Sequence, residues 1–240
     1  MKLWDRVEYS AIVDRKPLRL PDNKTVVVWP LVTVEVWDPD GPLPRTILTP
    51  PQGVLFVPDV PNWSWAEYGA RIGFWRMKAA LDKRSMKAVF CINASVIERY
   101  PRICEAALKA GWEFMGHNTI QKPMHAMTNE EEAIRQTAES IKKFTGATPR
   151  GWMGPGLTET YNTPELLVKA GIEYTVEDQR YHSQAVWAGR AGQRQCPPQH
   201  SATGTGASAN GFNFVIFTRN SSGPLTRCSQ VNTPGHSAAN

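Results

Sequence analysis

From Thr25 to Asp178 short apolar runs of strand length alternate with segments of helical period, and this alternation restricts the fold more than any other feature. The runs TVVVWPLVTVEVW (25–37), MKAVFCIN (86–93), WEFMGH (112–117), RGWMGPG (150–156) and IEYTVED (172–178) read as strands rich in β-branched and aromatic residues. Pro30 inside the first run predicts a bulge. Helical spacing runs from Ser64 to Arg84, then over 94–111, where Pro101 restarts the helix and Gly111 closes it. A capped start at Thr128-Asn129-Glu130-Glu131 predicts a helix to Phe144, ended by Gly146. Thr163, with Pro164 at the first helical position, opens a fourth helix. Residues 42–62 hold six prolines and read as a long loop of the kind that often carries function.

Strands alternating with helices specify an α/β chain with a parallel sheet or barrel. In such folds catalytic groups gather at the carboxyl ends of the strands. Those ends carry Glu35 to Asp38, Asn93, His117, Pro155-Gly156 and Glu177-Asp178.

Charge marks a boundary. The formal net charge is +5, yet residues 1–178 are neutral. Residues 179–240 contain no Asp, Glu or Lys and only Arg180, Arg190, Arg194, Arg219 and Arg227. The excess charge therefore belongs to a polar, Gly-, Ser- and Ala-rich tail, and nucleic acid and membranes are excluded as partners of the domain before it. This tail reads as a low-complexity, irregular or disordered segment, with one apolar island, FNFVIF at 212–217, able to form a strand. The simultaneous loss of acids, lysines and periodicity also raises a frame change near residues 176–182. The expected division is a partial barrel over 1–178 and the tail over 179–240. No apolar run approaches membrane-spanning length, and the first residues lack an apolar leader core, so a cytoplasmic protein is expected. Cys91 and Cys104 lie in apolar or helical patterns and read as small buried hydrophobes.

Five segments together carry a resemblance: RIGFWRMKAALDK, KAVFCINASVIERYPRI, AGWEFMGHNTIQKPMH, TGATPRGWMGPGLTET and TPELLVKAGIEYT. In order and spacing they resemble the polysaccharide deacetylase-like (NodB-homology) family, nearest its branch of allantoinase and cyclic-imide hydrolase relatives, over about residues 15–177. The resemblance implies a distorted (β/α)7 barrel, incomplete here, and hydrolysis of non-peptide carbon–nitrogen bonds in an N-acyl or cyclic amide group. It also implies a divalent metal such as zinc in most members, and none in the allantoinase-like branch. The sequence departs from the family pattern at several places. A single acid, Glu35, stands where paired acids end the first strand. Gln121 replaces the second histidine of a His-x-x-x-His motif begun by His117, and Met153 stands where an Arg is expected. The late motifs are missing.

The resemblance and the strand-end positions together nominate Glu35, His117 and Arg150 as catalytic, Arg150 as a partner setting the protonation of Glu35 or as a surface charge. His117 and His125 are the candidate metal ligands. Asn93, Trp63, Trp65, Trp152, Pro155 and Gly156 are candidate substrate-binding residues, with a turn or helix cap for Asn93, core packing for Trp63 and Trp65, and turn chemistry for Trp152 with Gly154-Pro155-Gly156 as the structural alternatives. The expected substrate is a small-molecule or sugar-derived amide. A homo-oligomer is expected if the full barrel forms. The alternative function is a catalytically inactive remnant or ligand-binding barrel.

Overall fold

The structure is a computed structural model that describes residues 9, 11–14, 22, 24, 26–49, 53–54, 56–176, 205–207 and 212–218. Its centre is a sheet in which β1 (Val26–Val34), β2 (Val89–Ile92), β3 (Glu113–Gly116), β4 (Gly151–Trp152) and β5 (Tyr174–Thr175) lie side by side in chain order, each parallel to the next. Helices occupy the crossovers that parallel pairing requires. They are α1 (Val60–Tyr68) and α2 (Phe74–Asp82), joined by a π-helical turn at Gly69–Gly73, then α3 (Val96–Arg99), α4 (Pro101–Lys109), α5 (Glu130–Thr145) and α6 (Thr163–Lys169). This is a partial (β/α) barrel. Two further strands, β6 (Thr205–Ala207) and β7 (Phe212–Thr218), continue the sheet beyond β1, with β7 antiparallel to it.

The period-two alternation of the strands sorts their side chains into two sets. Val32, Val34, Phe90, Ile92 and Phe114 face the helices and pack with Phe74, Leu81, Ile103, Ala107, Trp112 and Ile141. Phe74, Phe90, Trp112 and Phe114 meet at centroid distances of 5.2 to 6.1 Å, mostly edge to face. Burial of each such ring contributes about 1.5–3 kcal/mol. Leu31, Val89, Cys91, Met115, Met153 and Val176 form a separate buried cluster on the opposite, inner face.

Several local expectations are revised. Pro30 makes no bulge: Val26 to Val32 pair with β7 in unbroken register, and the ladder with β2 begins only at Leu31, so Pro30 sits where one side of the strand is unladdered. The helix expected from Ser64 begins at Val60, because Asp59 caps it by accepting from Asn62 N at 3.2 Å with a proline in the first turn. Thr163 is the first residue of α6 rather than its cap; its hydroxyl accepts from Thr160 N at 2.7 Å and donates to Glu130 on α5. The start of α5 matches the expected motif, with Asn129 accepting from Glu132 N at 3.1 Å and Gly146 in the left-handed region at its end. The apolar island at 212–217 forms most of β7, and β6 is a strand that the pattern did not indicate. The other tail residues lie outside the described ones.

Candidate active site

The carboxyl ends of β1, β2 and β3 bring Glu35, Asn93 and His117 together. His117 is buried, 1% exposed. Its Nδ1 donates to the main-chain oxygen of Met153, just past β4. That bond fixes the tautomer and turns Nε2 toward Glu35, whose Oε1 lies 3.6 Å away. Nε2 has no partner at hydrogen-bonding geometry. Burial pushes the imidazole toward its neutral form, but the Cys91 thiol and the Glu35 carboxylate beside it outweigh burial and hold His117 well above the usual histidine range.

Glu35 is the open member of the pair, with 21% of its side chain exposed. Its Oε2 accepts from Trp37 Nε1 at 2.6 Å. Trp37 and Trp65 face each other at 6.5 Å between ring centroids, tilted by 40°. One carboxylate oxygen thus faces a buried imidazole and the other an indole N–H, beside a half-buried aromatic pair.

Asn93 is fully buried and its carboxamide is fully engaged. Oδ1 accepts from Val36 N at 2.9 Å, while Nδ2 donates to the His117 carbonyl and reaches Gln121 Oε1 at 3.3 Å. Asn93 thereby ties the end of β1 to the end of β3. Gln121 lies in a loop rather than one helical turn after His117, because Asn118 takes a positive φ of 65° and bends the chain back. Gln121 N donates to Val36 O at 3.3 Å.

The remaining nominated residues are not gathered at one place. Trp65 is beside the site through Trp37, and Trp63 is half-buried on α1. Pro155 and Gly156 form a 3-10 turn after β4, Pro155 buried and Gly156 exposed. Trp152 faces away from His117: it is buried among Met124, Ile134, Leu167 and Ile172 on the helix side of β4, so it is core and not a wall of this site. Arg150 precedes β4 and sits at the opposite end of the sheet, where it pairs with Glu173 at 2.9 Å and not with Glu35. His125 is exposed on the turn Met124–Ala126.

Residues 67–175 match the polysaccharide deacetylase family model. A peptidoglycan deacetylase from Helicobacter pylori is 28% identical over 109 residues, 45% of this chain and 37% of that protein. Over these residues the chain is similar to polysaccharide deacetylases. Among solved structures, a Puue allantoinase is 25% identical with a TM-score of 0.45, covering 49% of this chain and 39% of its own. A probable polysaccharide deacetylase from Pseudomonas aeruginosa PAO1 is 26% identical with a TM-score of 0.46, covering 54% of this chain and 42% of its own. The chain spans about two fifths of the length of each of these relatives.

The family resemblance implies a divalent metal, and the donor set here does not fit one. Among the described residues no group of three or more His, Cys, Asp or Glu side chains is placed to hold a metal ion. Gln121, at the position of a second histidine, is bound to Asn93. His125 projects from an exposed turn. What the site does offer is a carboxylate with a buried imidazole behind it.

Two participants escaped the sequence reading. Trp37 is two residues after Glu35, the spacing that puts both on one face of an extended chain. Met153 enters through its main-chain oxygen, which no side-chain pattern signals. Among the described residues no helix is long and apolar enough to cross a membrane.

Proposed function

We propose that this chain is a hydrolase of non-peptide carbon–nitrogen bonds, acting on an N-acyl or cyclic amide group of a small or sugar-derived substrate. The single observation that carries the reading is Glu35: a partly exposed carboxylate at a strand end, oriented by Trp37 and backed by a buried His117.

In this reading Glu35 is the general base. Its Oε1 takes a proton from water, and the resulting hydroxide attacks the amide carbon. The tetrahedral intermediate collapses as the carbon–nitrogen bond breaks, and Glu35 returns the proton to the leaving nitrogen. His117 stays behind the carboxylate, where its raised affinity for a proton keeps a positive partner near Glu35 as that proton comes and goes. Trp37 and Trp65 offer an aromatic surface on which a sugar or planar ring stacks. No step runs through a metal.

A screen of the full chain over N-acetyl sugars, peptidoglycan fragments, allantoin and cyclic imides, with and without zinc, tests this. Turnover abolished by Glu35→Gln supports the enzyme. The second reading is a non-catalytic barrel that binds a ligand without hydrolysing it, favoured by Gln121 and Met153, which stand where the family pattern has a histidine and an arginine. Saturable binding of one of these compounds without turnover, by a folded sample, would replace the first reading with the second.

A further inference from the structure

We infer that Gln121 is a catalytic residue of this site, its Nε2–H donating to the carbonyl oxygen of the scissile amide as negative charge builds there. The inference deepens the hydrolase reading, since it rests on Glu35 as the base.

The orientation of Gln121 follows from a chain of hydrogen bonds that has one consistent assignment. Val36 N can only donate, so the Asn93 atom 2.9 Å from it is Oδ1. The other end of that carboxamide is then Nδ2, which donates to the His117 main-chain oxygen. Gln121 meets the same Nδ2 at 3.3 Å, so its contacting atom is the acceptor Oε1. Nε2 and its two N–H groups are left pointing away from Asn93. Nε2 makes no hydrogen bond among the described residues, and unlike His117 Nε2 it is not sealed from solvent.

The main chain is held as well. Gln121 N donates to Val36 O at 3.3 Å. Asn118, at its positive φ, folds the loop back and donates from Nδ2 to Lys122 O at 2.9 Å. A half-buried side chain anchored at one end has little freedom left to lose when its other end meets a ligand. A donor fixed in this way stabilises developing charge most, because nothing reorganises as the charge appears.

Its place suits that task. Val34, Ile92 and Gly116 form one row of the ladder, so the next residues, Glu35, Asn93 and His117, form the row at the mouth. Gln121 binds the middle member of this row, with the base on one side and the imidazole on the other. As Glu35 takes a proton from water, the new carbon–oxygen bond forms and the carbonyl π pair moves onto oxygen. Gln121 Nε2–H donates to that oxygen and keeps its proton. The pair returns as the carbon–nitrogen bond breaks, and the proton on Glu35 passes to the leaving nitrogen. A neutral amide does this without pairing with Glu35 and weakening it as a base, as a lysine or arginine there would.

The test uses the full chain. Gln121→Glu keeps an oxygen for Asn93 and removes the donor, while Gln121→Met keeps length and neutrality and removes both polar ends. On any substrate turned over, each is expected to lower kcat about 10²–10³-fold with KM little changed. Replacing the carbonyl oxygen of that substrate by sulfur, a weaker acceptor, is expected to slow wild type by a larger factor than either variant. A purely structural Gln121 predicts the same factor in all three. Unchanged kcat in a folded variant, or an equal sulfur factor, overturns the inference and leaves Glu35 as the base. Should both variants fail to fold, side-chain amide signals of the 15N,13C-labelled wild type decide. Titration with N-acetylglucosamine and with allantoin is expected to move the Gln121 signal. Binding that moves the Trp37 indole signal but not that of Gln121 overturns the inference. A moved Gln121 signal without any turnover sinks the hydrolase reading and keeps Gln121 as the donor to a bound amide. Neither binding nor turnover by a folded sample overturns both.

Discussion

His117 Nε2 stands 3.6 Å from Glu35 Oε1, held there because Nδ1 of the same ring is tied to the Met153 carbonyl. The imidazole is therefore fixed from the β4 side while the carboxylate keeps one edge open to solvent. This division of a buried, oriented group and an exposed, reactive one is the arrangement from which the activity predictions follow.

Glu35→Gln keeps the shape of the side chain and its contact with Trp37 but removes the base. Hydrolysis is expected to fall by about 10²–10⁴-fold. Trp37→Phe removes only the indole N–H that reaches Oε2 at 2.6 Å. It is expected to lower kcat/KM about tenfold, the effect of one lost hydrogen bond to a charged group. Steady-state kinetics of both variants check this, and equal losses would show that Trp37 does more than orient the carboxylate.

The raised proton affinity of His117 links stability to pH. Burial opposes the charge, but Cys91 and Glu35 outweigh it, so folding favours the protonated ring. A group raised in the folded state contributes fully below its unfolded value, about 6.5 for histidine, and loses that contribution as pH rises through the folded value. The stability gap between wild type and His117→Gln is therefore expected to shrink as pH rises from about 6.5. Urea unfolding midpoints at stepped pH measure it; a flat gap contradicts the assignment.

Much of the parallel sheet was legible in the sequence, because each strand is short, apolar and bounded by turn or cap residues. Glu35, Asn93 and His117 were legible for a related reason: a polar residue ending an apolar strand stands at the end of a parallel sheet where sites form. Arg150 was misplaced because it begins its strand instead of ending it, and strand direction puts the two ends far apart. Trp152 was assigned to the wrong face because β4 is only two residues long, too short for parity to be read from pattern alone. The Gln121–Asn93 contact was hidden by a left-handed Asn118, which no helical spacing rule anticipates.

Gly116 and Trp152 pair across β3 and β4, on the helix side of the sheet. A Cβ at 116 would meet Trp152 Cε3 at 2.7 Å, and that ring is fully buried. Gly116→Ala is expected to cost about 1–3 kcal/mol through overpacking. It also sits beside His117, so the loss is expected in both the melting temperature and the position of the His117 resonance. Thermal unfolding with normal stability would mean that the Trp152 ring has room to shift.

The family match ends at residue 175, and residues 179–240 hold no Asp, Glu or Lys. Both features fit a change of reading frame near residues 176–182. Translation of the coding DNA in the other two frames is expected to restore strand–helix periodicity from that point. If neither frame does so, the acid-free segment is the chain's own design, and the antiparallel pairing of Phe212–Thr218 with β1 becomes its structural purpose.

Asn93 offers the most direct separation of architecture from chemistry. Its carboxamide holds Val36 N, the His117 carbonyl and Gln121, and so sets the spacing between the strand ends that carry Glu35 and His117. Asn93→Ala leaves buried main-chain groups unpaired and is expected to cost about 2–4 kcal/mol, from two or more lost bonds. Asn93→Asp keeps the acceptor for Val36 N but loses the donor to the His117 carbonyl, and it places a second carboxylate close to Glu35. In that variant the fold is expected to survive better than in Asn93→Ala, while hydrolysis falls further than stability does. Chemical denaturation beside kcat/KM for the two variants provides the comparison. If activity and stability fall in proportion in both, Asn93 acts on the site only by holding the fold together.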